Sequence, residues 1–155
     1  MYTLKRSIVV PTTMDEAWDF IRKPQNLNLI TPDDMEFKIM SEVPDEMYNG
    51  LIVKYIVKLP VMGSQEWVSE IKHVRDGRSF VDEQRIGPYK LWYHYHEIEQ
   101  VDNGVLFTDE VTYEVPYSIF GKIAHAAFIG KTLERIFNYR NERFKELLSR
   151  PLEVA

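Results

Sequence analysis

The sequence predicts an α+β fold in which a seven-stranded antiparallel sheet is followed by one long helix. Before Pro116, stretches of alternating apolar and polar residues are separated by short turn signals, as expected for half-buried strands. After Pro116 the apolar residues recur at helical spacing, from about Ile119 to Leu148. The predicted order is one strand, two short helices, six strands and the long helix.

The first strand and the two short helices are marked by their boundary residues. Residues Tyr2–Val10 are rich in β-branched and aromatic side chains, which favour a strand. A Thr-x-x-Glu capping box that starts at Thr13 predicts a helix over Met14–Ile21. Pro24 begins a second short helix, which Pro32 stops. We expect the two helices to form a V-shaped lid at one end of the sheet.

Six further strands are delimited by alternation and by turn residues. The pairs Asp76-Gly77 and Asn103-Gly104 suit the positive φ angles of two-residue hairpin turns. At Gly87-Pro88 two registers that differ by one residue are possible for the flanking strands. We favour the register that sets Asp82 beside His94, because it agrees with both turns. The predicted strands are Glu36–Glu42, Leu51–Leu59, Gln65–Val74, Arg78–Ile86, Tyr89–Val101 and Val105–Val115.

These turns predict a sheet face that is apolar at its ends and ionisable in its middle. Turning at Asn103-Gly104 sets Ile98 opposite Asp109 and, by the same register, His94 opposite Tyr113. Turning at Asp76-Gly77 pairs Arg75 with Arg78, Ile71 with Asp82 and Ser69 with Gln84. The predicted inner face carries Trp67, Ser69, Ile71, His73, Phe80, Asp82, Gln84, Trp92, His94, His96, Ile98, Asp109, Val111, Tyr113 and Val115.

Composition excludes several classes of function. A chain of 155 residues predicts a single domain, 1–155. The absence of cysteine excludes disulfides, thiolate metal sites and cysteine nucleophiles, and it fits a cytoplasmic location. The net charge of −5, with cations dispersed among acids, argues against nucleic-acid binding. We expect no leader, and no apolar run approaches the ~20 residues needed for stable membrane insertion.

Four motifs carry a resemblance to a known family. They are Pro24-x-Asn26-Leu27-x-x-Ile30-Thr31-Pro32, Phe80-x-Asp82-x-Gln84-x-x-Gly87-Pro88-Tyr89-x-x-Trp92-x-His94-x-His96, Thr108-Asp109-x-Val111-x-Tyr113-x-x-Pro116 and Ile136-Phe137-x-Tyr139-Arg140. With this order of elements, the chain resembles the helix-grip (SRPBCC) superfamily of START-like and Bet v 1-like proteins and bacterial polyketide cyclases, specifically the group labelled cell-division-inhibitor-like. The resemblance implies a sheet curled around the last helix, with a cavity between them. It implies no single chemistry, because members carry lipids, bind hormones or cyclise polyketides.

The polar residues of the inner face are the candidate ligand-binding site. An apolar cavity with a few converging polar groups is the usual form of a small-molecule site. Two compatible interpretations stay open, because these groups either satisfy one another or contact a ligand. Three alternatives stay open for Arg140, which we place on the covered side of the helix. It pairs with an inner aspartate, binds an anionic ligand, or packs its stem on the sheet with its head in water. The candidate ligand-binding residues are Trp67, Phe80, Asp82, Gln84, Trp92, His94, His96, Asp109, Tyr113 and Arg140.

The sequence leaves the chemistry of this site open. We expect binding or carriage of a hydrophobic or amphipathic small molecule, without a cofactor. The alternative is an enzyme of the polyketide cyclase/dehydratase type, in which His94 and either Asp109 or Asp82 move protons. A metal held by two histidines and one carboxylate is a weaker alternative, and the family resemblance implies none. Nucleophilic catalysis by Ser69 is disfavoured, because no strained elbow or glycine-rich oxyanion loop accompanies this serine. The oligomeric state is open.

Overall fold

The computed structural model describes residues 1–60, 62–116, 123 and 128–149. Its elements follow the predicted order, with a second 3-10 helix added after the first. The strands are β1 (Tyr2–Val10), β2 (Lys38–Ile39), β3 (Ile52–Leu59), β4 (Gly63–Arg75), β5 (Ser79–Ile86), β6 (Leu91–Val101) and β7 (Gly104–Glu114). The helices are α1 (Met14–Ile21), 3-10 helices at Pro24–Leu29 and Asp33–Met35, and α2 (Gly130–Leu148).

The seven strands form one antiparallel sheet in the order β1-β7-β6-β5-β4-β3-β2. Strands β1 and β2 are therefore at opposite edges, although only the short helices separate them in sequence. The connection between them has to cross the end of the sheet, and α1 and the first 3-10 helix contribute residues to the same buried cluster as β6 and β7. The predicted seven-stranded α+β architecture is confirmed.

Helix α2 covers the inner face of the sheet. Its buried side chains are Leu133, Phe137, Arg140 and Phe144, whose spacing of three and four residues forms one stripe. Phe144 stacks on Phe107 of β7 at 4.6 Å between ring centroids. The earlier part of the predicted helix, 119–122 and 124–127, lies outside the described residues. None of the helices within the described ranges is long and apolar enough to cross a membrane.

The lid segment, which consists of α1 and the two 3-10 helices, is fixed to the rest of the fold by side-chain contacts. The predicted capping box at Thr13 is present, with both reciprocal contacts to Glu16. Trp18 Nε1 of α1 donates a 2.7 Å hydrogen bond to Asp76 in the β4–β5 turn. The 3-10 helices are attached to α2 at the surface, where Arg143 donates to the Leu29 carbonyl at 3.0 Å and Arg135 pairs with Asp34 at 3.0 Å.

The predicted register of the β6–β7 hairpin is wrong by two residues. The turn residues are Asp102 and Asn103, and Val101 pairs with Gly104. Gly104 has a φ of 140°, and a Cβ there would lie 2.1 Å from the Val10 carbonyl oxygen. Glycine is therefore required at this position because β1 approaches closely. We had predicted the glycine as a turn residue. A shift of two residues leaves every side chain on its predicted face.

The corrected register changes which inner-face residues are opposite one another. His96 pairs with Asp109 and His94 pairs with Val111. The predicted partners were Val111 for His96 and Tyr113 for His94. On the other side of β6, Asp82 pairs with His94, as predicted. Asp109 and Asp82 therefore lie on the two sides of the histidine-bearing strand.

A β-bulge changes the end of the β4–β5 hairpin. Ile71 pairs with Asp82 and Ser69 with Gln84, as predicted, but Arg75 pairs with Ser79 rather than with Arg78. The irregularity lies between Lys72 and Arg75, where His73 has a φ of 54°. His73 is consequently exposed, and its predicted place on the inner face is wrong.

The predicted strand Glu36–Glu42 is much shorter in the structure. Only Lys38–Ile39 pairs with β3, because Asp33–Met35 forms a 3-10 helix that ends at Glu36 with a left-handed φ of 45°. The alternating pattern still describes which side chains turn inward, since Phe37 contacts the ring of Tyr55 at 4.8 Å between centroids.

Candidate functional site

A cavity of about 160 Å³ lies between the sheet and α2. Its wall is mostly apolar and includes aromatic rings from β3, β4, β5, β6 and α2. Its buried charged residues come from β5, β6 and α2, and Lys23, Asn26 and Thr31 add polar groups near the first 3-10 helix. The lining includes Tyr55, Val57, Trp67, Ser69, Phe80, Asp82, Trp92, His94, His96, Leu133, Phe137 and Arg140.

Two histidines and two aspartates form a compact buried cluster. His94 Nε2 lies 2.8 Å from Asp109 Oδ1, and its Nδ1 lies 3.3 Å from Asp82 Oδ2. His96 Nε2 lies 2.9 Å from the same Asp82 oxygen. The two imidazole rings are 3.7 Å apart between centroids. Each histidine therefore contacts both carboxylates across its strand.

The strand register explains this arrangement. Residues i and i+2 of β6 share a face, so the rings of His94 and His96 lie side by side. Asp82 reaches them from β5, directly opposite His94, and Asp109 reaches them from β7, directly opposite His96. Phe80 stacks on the ring of His96 with 4.1 Å between centroids and so fixes its plane.

Arg140 of α2 joins the cluster from above the sheet. Its Nε lies 3.2 Å from Asp109 Oδ2, and one terminal nitrogen lies 3.2 Å from His96 Nδ1. The guanidinium is also near the rings of Phe137 and Phe144, at 6.0 and 5.3 Å from their centroids. Of the alternatives that the sequence left open, the structure shows the pairing of Arg140 with an inner aspartate.

The contacts assign the protons of the two histidines. His96 Nδ1 lies 3.1 Å from Asp109 Oδ1 and 3.2 Å from a terminal nitrogen of Arg140, which can only donate. The tautomer that accepts from Arg140 carries its proton on Nε2, where it donates to Asp82 at 2.9 Å. Both nitrogens of His94 face carboxylate oxygens, at 2.8 Å from Asp109 and 3.3 Å from Asp82, which favours the doubly protonated imidazolium. The cluster then holds two negative charges, on Asp82 and Asp109, and two positive charges, on Arg140 and His94.

Burial and charge separate the pKa values of the two histidines. Burial alone lowers both, because it disfavours the charged imidazolium. For His94, hydrogen bonds to Asp109 and Asp82 outweigh burial and raise the pKa. For His96, burial and the adjacent His94 charge prevail and lower the pKa. The directions agree with the proton positions assigned from the contacts.

The carboxylates of the cluster are held in their charged form. Burial opposes this, but hydrogen bonds from His94 and His96 hold the pKa of Asp82 below its usual range. The pKa of Asp109 is likewise well below its usual value, because the charge of Arg140 and the hydrogen bond from His94 exceed the effect of burial. A neutral carboxyl group would leave Arg140 or His94 without a counter-charge.

A chain of hydroxyl and indole groups extends from Asp82 along the cavity wall. Ser69 Oγ lies 3.5 Å from Asp82 Oδ1, Tyr55 Oη lies 3.3 Å from Ser69 Oγ, and Trp67 Nε1 donates to Ser69 Oγ at 3.2 Å. Burial raises the pKa of Tyr55 well above its usual value, with the Asp82 charge adding to it, so Tyr55 stays a phenol. Tyr55 was not among the predicted site residues, although its alternation with Val53 and Val57 along β3 is a signal that it faces inward.

Some candidate residues lie away from the cavity. The amide of Gln84 binds the main chain of Tyr89, donating to its carbonyl at 2.6 Å and accepting from its N–H at 3.2 Å. Tyr113 is buried among aromatic residues and stacks on Tyr2 at 5.5 Å. Asp109 is beneath the histidines. Within the described part of the chain, the cavity wall includes the other seven candidates but not Gln84, Asp109 or Tyr113.

Asp82, His94 and His96 are close enough together to hold a metal ion, because one ligand atom from each lies within 4.8 Å of the others. The surroundings do not fit such an ion. The ring nitrogens already face carboxylates or Arg140, and the guanidinium lies 3.2 Å from His96 Nδ1. A divalent cation would have to displace the His94 proton and sit beside this fixed positive charge.

Comparison with known proteins identifies the fold. No family model and no curated protein sequence matches the chain. A START superfamily protein from Mycobacterium smegmatis is similar in structure, with a TM-score of 0.68 and 10% identity over 95% of this chain and 99% of that one. The major latex-like protein 151 of Panax ginseng gives a TM-score of 0.70 at 11% identity, covering 96% and 98%.

The chain has a helix-grip fold. A further structure, a protein from Chromobacterium violaceum, gives a TM-score of 0.73 at 10% identity over 97% of this chain and all of that one. The helix-grip architecture explains the position of the cavity, because the curled sheet and the last helix enclose it between them.

The buried cluster yields a prediction about stability. We expect Asp109→Asn to lower the free energy of unfolding by about 1–3 kcal/mol, because Arg140 and His94 lose the charge that compensates them. Glu110→Gln, next in sequence but on the outer face and 42% exposed, is the matched control and should cost under about 1 kcal/mol. Urea unfolding at neutral pH measures both, and equal small losses would contradict the importance of the cluster.

The two histidines also predict how stability depends on pH. The raised pKa of His94 contributes stability that is complete below the unfolded value of about 6.5 and is lost as the pH rises through the folded value. The lowered pKa of His96 acts in the opposite sense, and its contribution is lost as the pH falls below about 6.5. Stability from this pair is therefore greatest near pH 6.5.

Urea unfolding between pH 5 and pH 9 tests this sign. His94→Gln should remove the decline above pH 6.5, whereas His73→Gln at the exposed bulge should keep it. If the wild-type protein and His94→Gln show parallel profiles above pH 6.5, His94 is not an imidazolium in the folded protein.

Proposed function

We propose that this helix-grip protein binds a small hydrophobic or amphipathic molecule in the cavity between the sheet and α2. The observation that carries this proposal is the composition of the wall. Most of it is apolar, and its buried charged groups form one cluster in which they are paired with one another. A site of this form supplies apolar contact area together with a polar group that orients the ligand.

The cavity volume indicates how much of a ligand can be enclosed. About 160 Å³ is close to the roughly 150 Å³ of a protein cavity that holds benzene, and smaller than the roughly 300–1,000 Å³ usual for ligand sites. A single ring or a short branched chain fits completely. A longer polyketide-like, isoprenoid or lipid molecule would extend through the mouth of the cavity.

The partly exposed part of the lining indicates where that mouth lies. Lys23, Asn26 and Leu27 precede or belong to the first 3-10 helix, and Met47 belongs to the loop before β3. Leu27 and Met47 pack against the buried cluster that contains Phe80, the ring that stacks on His96. We infer that a ligand enters beside the first 3-10 helix.

Native mass spectrometry tests the proposal directly. We expect protein incubated with lipid and metabolite extracts to retain a bound small molecule. Val57→Phe, which places a ring inside the cavity, should reduce this retention at least several-fold. The matched control is Ile52→Phe, because Ile52 is on the same strand but 49% exposed. A spectrum without bound mass across all extracts would contradict the proposal.

A second candidate is an enzyme of the polyketide cyclase/dehydratase type. The observation in its favour is that the pair His94 and His96 carries one positive charge, and thus one acidic proton, beside Asp82, which lies on the cavity wall. Such a cluster can take up a proton from a bound molecule at Asp82 and return it from the imidazolium. Asp109, beneath the rings, would then hold His94 in orientation.

The two candidates differ in the effect of one substitution on turnover. If the protein is an enzyme, His94→Gln should abolish turnover while leaving ligand affinity mostly unchanged, because the cavity wall keeps its shape. His73→Gln is the matched control. Rates of product formation with polyketide-like substrates measure the effect, and equal rates in the wild type and His94→Gln would remove His94 from the mechanism.

A further inference from the structure

The buried polar side chains of the cavity wall contact one another. Both nitrogens of His94 face carboxylates, and both nitrogens of His96 are engaged by Asp82 and Arg140. One terminal nitrogen of Arg140 lies at hydrogen-bond distance from His96, and its Nε forms an ion pair with Asp109 without hydrogen-bond geometry and is itself buried. The Tyr55 hydroxyl and the Trp67 indole converge on Ser69. A ligand therefore finds few polar atoms that are not already engaged.

Asp82 carries a weakly engaged acceptor on this wall. Its Oδ2 serves both histidines, at 3.3 and 2.9 Å, whereas its Oδ1 accepts from Ser69 at 3.5 Å, the long limit of a hydrogen bond. The Asp82 side chain is 17% exposed, compared with 4% for Asp109. Since Asp82 lies in the middle of the inner face and lines the cavity, that exposed area faces the cavity. The wall thus offers a charged acceptor and needs a donor.

We propose that the cavity selects a neutral ligand whose polar group is a hydrogen-bond donor, above all an alcohol or phenol hydroxyl, which donates to Asp82 Oδ1. This inference rests on the proposed binding function and specifies the class of its ligand. A donor at this position completes the coordination of a buried carboxylate, and a hydrogen bond to a charged acceptor is stronger than one between neutral groups. The ring or chain that carries the hydroxyl then occupies the apolar part of the cavity.

The same charges exclude carboxylates. The positive charges of Arg140 and His94 are already balanced by Asp109 and Asp82, so an anionic ligand would add a negative charge without a partner next to Asp82. Arg140 on the wall does not change this, because its guanidinium is directed to Asp109 and His96. Fatty acids and other carboxylic acids are therefore outside the ligand class.

Two pairs of ring-sized probes of matched shape test the inference. Phenol and toluene differ only in a hydroxyl or methyl group, and benzamide and benzoate differ in charge and in the presence of an N–H donor. Two-dimensional ¹H–¹⁵N NMR titrations at neutral pH follow the indole N–H signals of Trp67 and Trp92 at the cavity, with Trp18, bound to Asp76, as the reference outside it.

The expected result is that phenol binds as tightly as toluene or more tightly, although its hydroxyl must lose its water. Benzamide should bind at least about tenfold more tightly than benzoate. In Asp82→Asn the affinity ratio of phenol to toluene should fall by about tenfold or more, whereas the ratio in Glu110→Gln should be unchanged. Toluene binding by Asp82→Asn shows that the variant keeps its cavity.

The outcomes separate this inference from the proposed function. Toluene binding together with weaker phenol binding, or equal binding of benzoate and benzamide, would overturn the donor selection and leave the binding function in place. Failure of all four probes to shift the signals of Trp67 and Trp92 would overturn both. If Asp82→Asn does not fold, the two wild-type comparisons still decide the inference.

Discussion

Charge balance inside the sheet is the constraint on which the rest of this structure depends. Two carboxylates buried on one face have to be compensated, because an isolated buried charge costs several kcal/mol. Arg140 supplies one positive charge from α2. The additional proton that makes His94 an imidazolium supplies the other. The helix is thereby held to the sheet at a defined position along its axis. The same compensation fixes the rotamers of these side chains.

The sequence predicted the face of the sheet better than its register. Alternation assigns side chains to faces with a period of two, so an error of two residues at Gly104 did not move Asp109 off the inner face. The bulge at His73 could not be predicted, because a single extra residue is compatible with any alternating pattern nearby. The requirement for glycine at Gly104 comes from β1, about a hundred positions earlier in the chain, and no local signal reveals such an approach.

The composition of the candidate site was accessible from sequence, but its internal order was not. Asp82, His94 and His96 were expected to converge, and the three lie together on the cavity wall. Which aspartate faces the cavity depends on depth, and here Asp82 does so while Asp109 is covered by the histidines. The contact from Arg140 depends on the placement of a helix relative to a sheet, which residue spacing on either element leaves undetermined. Gln84 was assigned correctly to a strand, yet the main chain of Tyr89 occupies its amide.

If the protein binds a ligand as proposed, the attachment of the 3-10 helices to α2 has a consequence for the rate at which that ligand exchanges. The contacts of Arg143 with the Leu29 carbonyl and of Arg135 with Asp34 lie at the surface, where water and salt weaken them. They lie outside the buried charge cluster and the cavity wall. Residence time would then be set by surface contacts that selection can adjust one at a time, while the equilibrium constant is set in the interior. A chain built this way can become a fast carrier or a slow reservoir for the same molecule without altering what it recognises.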